Sequence, residues 1–259
     1  MRRGRNDLPG NFKTIRERLQ TRAHSGHCCA WLACIVVAAV GLGTSVKAAA
    51  AENNDAAWAI FTTTNALQTD DEASRWHYWF DAQARYFDLG SGMDQYLLRP
   101  GIGFEVNKNL KAWAGYARLR ARKRSGDVVD ENRFWQQLTW TAGNWNFGKI
   151  TMRTRLEQRS VSAGDDLGLV VRLQAKYVRP IGHDGKTSLI LAIEPFVDLR
   201  DTDWGGDAGL GQNRTNIGIA WQVSKSMSIE TGYMNQFIWS DSGEDRVNHV
   251  AVVSFKVKL

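Results

Sequence analysis

Beyond residue 50 this 259-residue chain contains no cysteine, only three histidines, and no uninterrupted apolar run near 18 residues. Lack of cysteine removes disulfide staples, so rigidity has to come from hydrogen-bonded strands even if the chain is exported to an oxidising compartment. Lack of a long apolar run removes helical membrane spans. Scarcity of histidine removes most base-assisted nucleophile chemistry. His77, His183 and His249 have no serine convincingly placed beside them, and a hydroxyl nucleophile needs a base within hydrogen-bond reach. The expectation is therefore no enzyme, no cofactor and no metal centre; were there catalysis, a carboxylate would be the expected base.

Charge of one sign is missing too. Of 33 basic and 27 acidic residues, eight basic and two acidic ones precede residue 48, which leaves 25 of each in the remainder. The isoelectric point near 9.3 thus belongs to the N-terminal segment and does not point to nucleic acid, which is not an expected partner. That segment is itself ordered by type. A basic stretch leads into the apolar run Ala30 to Val46, followed by Lys47 and the small residues Ala48 to Ala51. This is the order of a secretory signal peptide, with cleavage expected after Ala50. Residues 1–50 are read as the leader and 51–259 as one exported domain. Cys28, Cys29 and Cys34 all lie in the leader, and the apolar run follows Cys34, which argues against lipoprotein processing.

From Trp76 onward the chain alternates. Trp76, Tyr78, Phe80, Ala82, Ala84 and Tyr86 are interleaved with His77, Asp81, Gln83 and Arg85, so apolar side chains share one strand face and polar ones the other. Comparable segments recur near 76–88, 94–106, 110–122, 131–142, 145–159, 167–179, 188–200, 212–223, 227–240 and 247–259. Their length suits tilted strands that cross a bilayer. A mean hydropathy of -0.37 fits this reading, because only half of each strand would meet lipid. The fold expected is all-β: a transmembrane antiparallel up-and-down β-barrel of about ten strands in the cell outer membrane. One more apolar segment, Trp58 to Thr64, breaks the even count. It is either half of a further hairpin, giving twelve strands, or a short strand ahead of the barrel. Pro100 and Pro195 fall inside strands and predict bulges or local distortion.

Connections alternate in length. Short ones are expected at Asn107-Lys108-Asn109, Gly143-Asn144 and Ser224-Lys225-Ser226, longer ones around 123–130, 160–166, 201–211 and 241–246. Short turns belong to the periplasm and long loops to the exterior, with 180–187 a longer turn on the periplasmic side. Aromatics gather near strand ends, Trp76, Trp140, Trp145, Tyr177 and Trp221 on one side and Tyr86, Tyr96, Phe134, Phe237 and Trp239 on the other, as two lipid–water interfaces favour.

The opposite, inward rows carry charge: Arg99 and Glu105, then Lys149, Arg153, Arg155, Glu157 and Arg159, with Arg172, Lys176, Glu194, Asp198, Arg214 and Glu230 as neighbours. Side chains nearly fill a small barrel, and ions persist there only when paired. The rows are read as an ion-pair plug. A narrow channel whose arginines favour anions stays open as an alternative, as does an outer-leaflet lipid-modifying enzyme. Arg118, Arg120, Arg122, Lys123 and Arg124 form a basic outer segment that would meet lipopolysaccharide phosphates or remain a solvated loop. Asp201, Asp203 and Asp207 around Trp204-Gly205-Gly206 read as turn chemistry, lacking the closing Glu of a calcium loop.

Several short pieces then occur in a fixed order: Leu98-Arg99-Pro100-Gly101-Ile102-Gly103, Gly115-Tyr116, Phe134-Trp135-Gln136-Gln137-Leu138, Arg155-Leu156-Glu157-Gln158-Arg159, Gly211-Gln212-Asn213-Arg214 and Gly232-Tyr233-Met234-Asn235-Gln236, followed by Asn248-His249. In this order and spacing the chain resembles a family of Gram-negative outer-membrane barrels, domain of unknown function 2490, from Trp58 to Leu259. The resemblance implies an outer-membrane barrel, with membrane lipid, lipopolysaccharide and the barrel assembly machinery as partners. It brings no established activity and so no catalytic residues. Leu259 stands where such barrels usually end on an aromatic. The expected role is structural, or interaction through the outer loops.

Overall fold

The computed structural model describes residues 51–68, 73–87, 94–123, 125–182, 184–240 and 244–258. Residues 1–50, read above as a leader, and Arg124, His183 and Leu259 lie outside them. The described residues form strands and turns without a helix: β1 (Glu52–Gln68), β2 (Ala73–Tyr86), β3 (Gln95–Asn107), β4 (Leu110–Arg122), β5 (Val128–Trp145), β6 (Gly148–Val161), β7 (Leu167–Pro180), β8 (Thr187–Asp198), β9 (Gly209–Gln222), β10 (Met227–Ile238) and β11 (Arg246–Val257). Sequential neighbours pair antiparallel, and the sheet closes on itself where β1 meets β11. Connections at the end where β11 finishes are short, such as 108–109, 146–147 and 223–226; those at the other end, such as 123–127, 162–166 and 199–208, are longer. We call these the turn end and the loop end.

The even strand count is corrected. Trp58 to Thr64 is the middle of a full barrel strand, neither half of an extra hairpin nor a short strand ahead of the barrel. An odd number of strands in a meander leaves the first and last parallel, and Glu52 to Thr63 pair in parallel with Arg246 to Val257. The seam satisfies two rows of backbone groups that would otherwise be open edges. Its sequence signal is weak because the outward row of β1 begins Asn53, Asp55, Ala57, Ala59 before reaching Phe61.

Two turn details differ as well. The β5–β6 reversal lies at Asn146-Phe147, with Trp145 paired to Gly148, while Gly143 sits at a register shift inside β5. The Trp145 ring lies where a Cβ on Gly143 would go, so the glycine serves as a platform for an aromatic instead of a turn. Pro195 lies next to the expected bulge, between Phe196 and Val197. Pro100 produces none: β3 keeps its register on β4 from Leu98–Arg118 to Gly101–Gly115, with only the pairs at Arg99 and Pro100 missing, because a proline lacks the N–H that those rungs need.

Closure separates the two faces of every strand. Buried side chains among the described residues include sixteen polar or charged and twelve apolar ones, while 23 large apolar side chains are exposed. Exposed residues include Trp76, Leu98, Ile102, Phe134, Leu138, Ile217, Trp221 and Phe255, all on the rows read as apolar faces. At the turn end, Trp145 stacks on Phe147 at 5.4 Å and Trp76 meets Phe104 edge-on at 5.0 Å. Inside, the glycines of β3 and β4 make room for indoles: a Cβ on Gly101 or Gly115 would stand 2.5 Å from the ring of Trp135. Trp135 and Trp113 pack there with Ala117 and Trp79.

The parallel seam is open to a direct test. All three cysteines precede residue 35, so Ala57→Cys with Ala251→Cys, register partners on the outward row, places a lone thiol pair in the leaderless chain. Oxidation of the folded protein is expected to cross-link the pair, since facing strand positions lie within the Cα range of about 4.4–6.8 Å that a disulfide needs. Failure to cross-link, while the antiparallel control pair Ala82→Cys and Leu98→Cys links, would reject the seam.

Candidate functional site

The inward rows meet because register aligns them. Glu157 on β6 is the centre: its carboxylate accepts from Arg159 at 2.6 Å and from Arg172 on β7 at 2.7 Å, with Arg155 and Arg133 at 3.5 and 3.6 Å. Glu194 on β8 takes Arg153 at 2.6 Å and the other edge of Arg172 at 2.7 Å. Glu131 binds Arg133 at 2.7 Å, and Asp81 binds Arg99 at 2.6 Å. Arg155 also donates to Gln137 and lies 4.7 Å over Trp135. Toward the turn end, Glu230 bridges Lys176 and Lys256 at 3.2 and 2.5 Å, and Glu105 meets Lys111 at 3.2 Å and His77 at 3.4 Å. The Lys176–Glu230 contact joins β7 to β10 across the lumen.

Among the described residues two cavities stand out within the barrel. One of about 260 Å³ is walled by Trp58, Trp79, Ile190, Met234 and Val252 together with Arg99, Arg153 and Glu194. The other, about 910 Å³, opens toward the loop end between Lys123, Glu131, Arg133, Arg159 and Arg246. Arg85 and Arg214 line both and so mark their boundary. Both guanidinium groups rest on the indole of Trp58, at 4.2 and 4.8 Å from its centroid, and Arg214 also covers Phe196 at 4.7 Å.

Most residues expected in the lumenal network are brought together. Arg99, Glu105, Arg153, Arg155, Glu157, Arg159, Arg172, Lys176, Glu194 and Glu230 all make the ion pairs just given. Lys149 is apart, exposed near the turn end. Asp198 is half-buried at the loop-end rim of β8, and Arg214 reaches aromatic faces in place of a carboxylate. Sequence reasoning left Asp81, Arg85, Lys111, Glu131, Arg133 and Lys256 out of the network. They lie on β2, β4, β5 and β11, strands from which no residue had been assigned, but strand parity held the signal: each falls on the row that alternates with outward residues such as Phe80, Phe134 and Phe255.

Outside the lumen, Arg118 and Arg120 both pair with Asp130, at 2.9 and 2.8 Å, so part of the outer basic segment is neutralised within the sheet. His77 meets Glu105 and Lys111, not Asp81, and His249 hydrogen-bonds Tyr233 at 2.7 Å and Asn53 at 3.2 Å on the outer face. In the acidic loop, Asp203 accepts the backbone N–H groups of Asp165 and Asp166 at 2.9 and 3.2 Å, and Asp201 accepts that of Ala208. The Trp204 indole donates to the Asp166 carbonyl. Asp203 and Trp204 thus tie loop 199–208 to loop 162–166, while Asp201 closes the first loop on itself.

Two outcomes follow from this geometry. Glu157→Gln leaves several buried guanidinium groups short of a counter-charge and is expected to cost ~3–5 kcal/mol, as breaking a buried pair does, read as a lower urea midpoint; Glu230→Gln, nearer solvent, is expected to cost under about 1 kcal/mol. Equal losses would remove Glu157 from the centre. The amides of Asp165 and Asp166 hold the Asp203 carboxyl below its usual range. The clamp is therefore complete above the ordinary aspartate value of about 3.9 and is lost as pH falls through the lower folded value. Asp203→Asn is expected to reproduce that loss at neutral pH as faster tryptic cleavage after Arg200. An unchanged rate would show that the charge does not hold the loop.

Residues 55–248 match the family described as Protein of unknown function (DUF2490). An uncharacterized protein of Methylorubrum extorquens is 33% identical over 182 residues, which cover 70% of this chain and 80% of that protein. No solved structure matches. With the family matched from within β1 to the start of β11, the chain belongs to the DUF2490 family, here an eleven-stranded closed barrel.

Proposed function

We propose that this chain is an outer-membrane β-barrel whose lumen is closed to free diffusion by its arginine–carboxylate network and whose contacts are made through the loop-end vestibule and the outer loops. The observation that carries this reading is the inverted polarity of the barrel. A soluble monomer rarely exposes a contiguous apolar patch larger than a few hundred Å², whereas here 23 large apolar side chains are exposed, most of them on the strands, and charges are buried. Lipid is the solvent that suits such a surface, and closure leaves no open edge in it. Aromatic pairs near the strand ends fit the two interfaces, and the order of residues 1–50 provides an export signal.

In this reading the loop end faces outward. Arg118 and Arg120, two cations sharing the carboxylate of Asp130, retain charge for lipopolysaccharide phosphates, and β11 offers Val253 and Phe255 to the assembly machinery. The closed lumen follows from how its interior is filled. Barrels of about eight strands are filled by side chains and those of 16–18 leave a channel; at eleven strands Arg155, Glu157, Trp135, Leu97 and Val250 are fully buried in the interior.

One observation favours a second reading, an anion-preferring channel: the two cavities share Arg85 and Arg214, cations at their boundary. Planar-bilayer recording separates the two. Protein whose folding is confirmed by heat-dependent gel mobility is expected to stay silent. Discrete steps with anion preference would replace the closed barrel by the channel.

A further inference from the structure

Among the described residues the lumen holds more cationic than carboxylate side chains, and the surplus is localised. Asp81, the carboxylate four residues before Arg85 on the same face, is taken by Arg99 at 2.6 Å and by Gln83 at 3.0 Å. Glu194 is the register partner of Arg214, yet it is taken by Arg153 and Arg172. What remains for Arg85 are the amide oxygens of Gln83, at 2.7 Å, and Gln95, at 3.2 Å. Arg214 has the Gln212 amide, whose oxygen, turned toward it, accepts at 2.7 Å. Neutral amides satisfy donors without cancelling charge. Among the described residues neither guanidinium has a carboxylate within ion-pair distance, although both share the same indole. Two like charges so placed, Arg85 buried and Arg214 half-buried, repel, and an uncompensated ion withdrawn from water is costly.

The same cavity shows a second imbalance. Buried polar side-chain atoms without a partner include the indole N–H groups of Trp58 and Trp79 and the Nε–H groups of Arg99 and Arg153, and all four residues line the 260 Å³ space. Every one of these four atoms is a donor. Surplus donors with surplus positive charge call for a ligand that only accepts and is negative. The wall also includes Ile60, Ile190, Met234 and Val252, which suits a compact apolar body more than a fully hydrated oxyanion. A cavity of about 150 Å³ already holds benzene, so the space admits a small ring or branched chain.

We propose that the smaller lumenal cavity is a binding site for a small organic carboxylate, its head held by Arg85 and Arg214 at the boundary between the cavities and its apolar body against Trp58 and the aliphatic wall. This deepens the interaction role proposed above by naming a ligand class, and its entry is from the loop-end vestibule that the same two arginines line.

Titration calorimetry of the folded, detergent-solubilised protein with benzoate tests it, with benzamide as the uncharged isostere and inorganic phosphate as the anion without an apolar body. Benzoate is expected to bind saturably at one site, with phosphate at least about tenfold weaker and benzamide showing no saturable heat, since a charge-assisted pair accounts for about a tenfold factor or more. Arg214→Gln and Arg85→Gln are each expected to weaken benzoate by about tenfold or more. Arg214→Lys, which keeps the charge but loses the planar fork, should fall between. Should the Gln variants fail to fold, benzoate is still expected to raise the heat-modifiability midpoint of the unaltered protein, where benzamide does not. No saturable benzoate binding, equal binding of benzamide, or affinity indifferent to Arg214→Gln would overturn the site and leave a water-filled cavity only. Failure here is distinguishable from failure of the closed-barrel reading: benzoate binding in a conducting protein overturns only that reading, and a silent bilayer without benzoate binding overturns only this site.

Discussion

Everything inside this barrel depends on the hydrogen-bonded seam between β1 and β11. Twelve register pairs run from Glu52–Arg246 to Thr63–Val257, and without them the sheet would have two long open edges. The seam also brings Trp58 beside Val252 and Val250 near Ala56, and these residues form a buried apolar cluster with Met234. Trp58 in turn is the surface on which Arg85 and Arg214 rest. A strand of weak apolar character thus carries the indole that organises one whole side of the lumen.

The charge network has a different physical standing from the seam. Desolvation of buried ions offsets much of their mutual attraction, so pairs such as Arg172–Glu157 add little net stability against an apolar alternative. What they do is penalise error. A one-residue slip in β6 would turn Arg153, Arg155, Glu157 and Arg159 outward and their apolar neighbours inward, stranding several charges at once. Register here is specified by the cost of misplacing ions, while the glycines opposite Trp135 set how closely β3 and β4 approach its ring.

The proposed ligand site follows from where compensation stops. Glu157 and Glu194 are saturated by guanidinium groups, and among the described residues no carboxylate is left within ion-pair distance of Arg85 and Arg214. A network built purely as filler would place its counter-charges evenly; this one leaves its surplus at the boundary of two cavities, beside indole N–H groups that have no acceptor. The loop end, by contrast, is rigidified by backbone amides on Asp203 and Asp201, so the mouth of the vestibule is a built surface.

Much of the architecture was legible in the sequence because strand faces depend on a local rule, the period of two. Ten of the eleven strands, the alternation of turns and loops, and the inward placement of Arg153, Arg155, Glu157 and Arg172 follow from it. The sequence alone also determined that cysteine and helical spans play no part after residue 50. Only the tertiary structure decided that β1 joins the sheet in parallel, that Gly143 is a platform and not a turn, and that Glu194 goes to Arg153 and Arg172 instead of its register partner Arg214. Side-chain partners across a lumen are chosen by distance and by competition among several cations for one carboxylate, and no periodicity along a single strand encodes either.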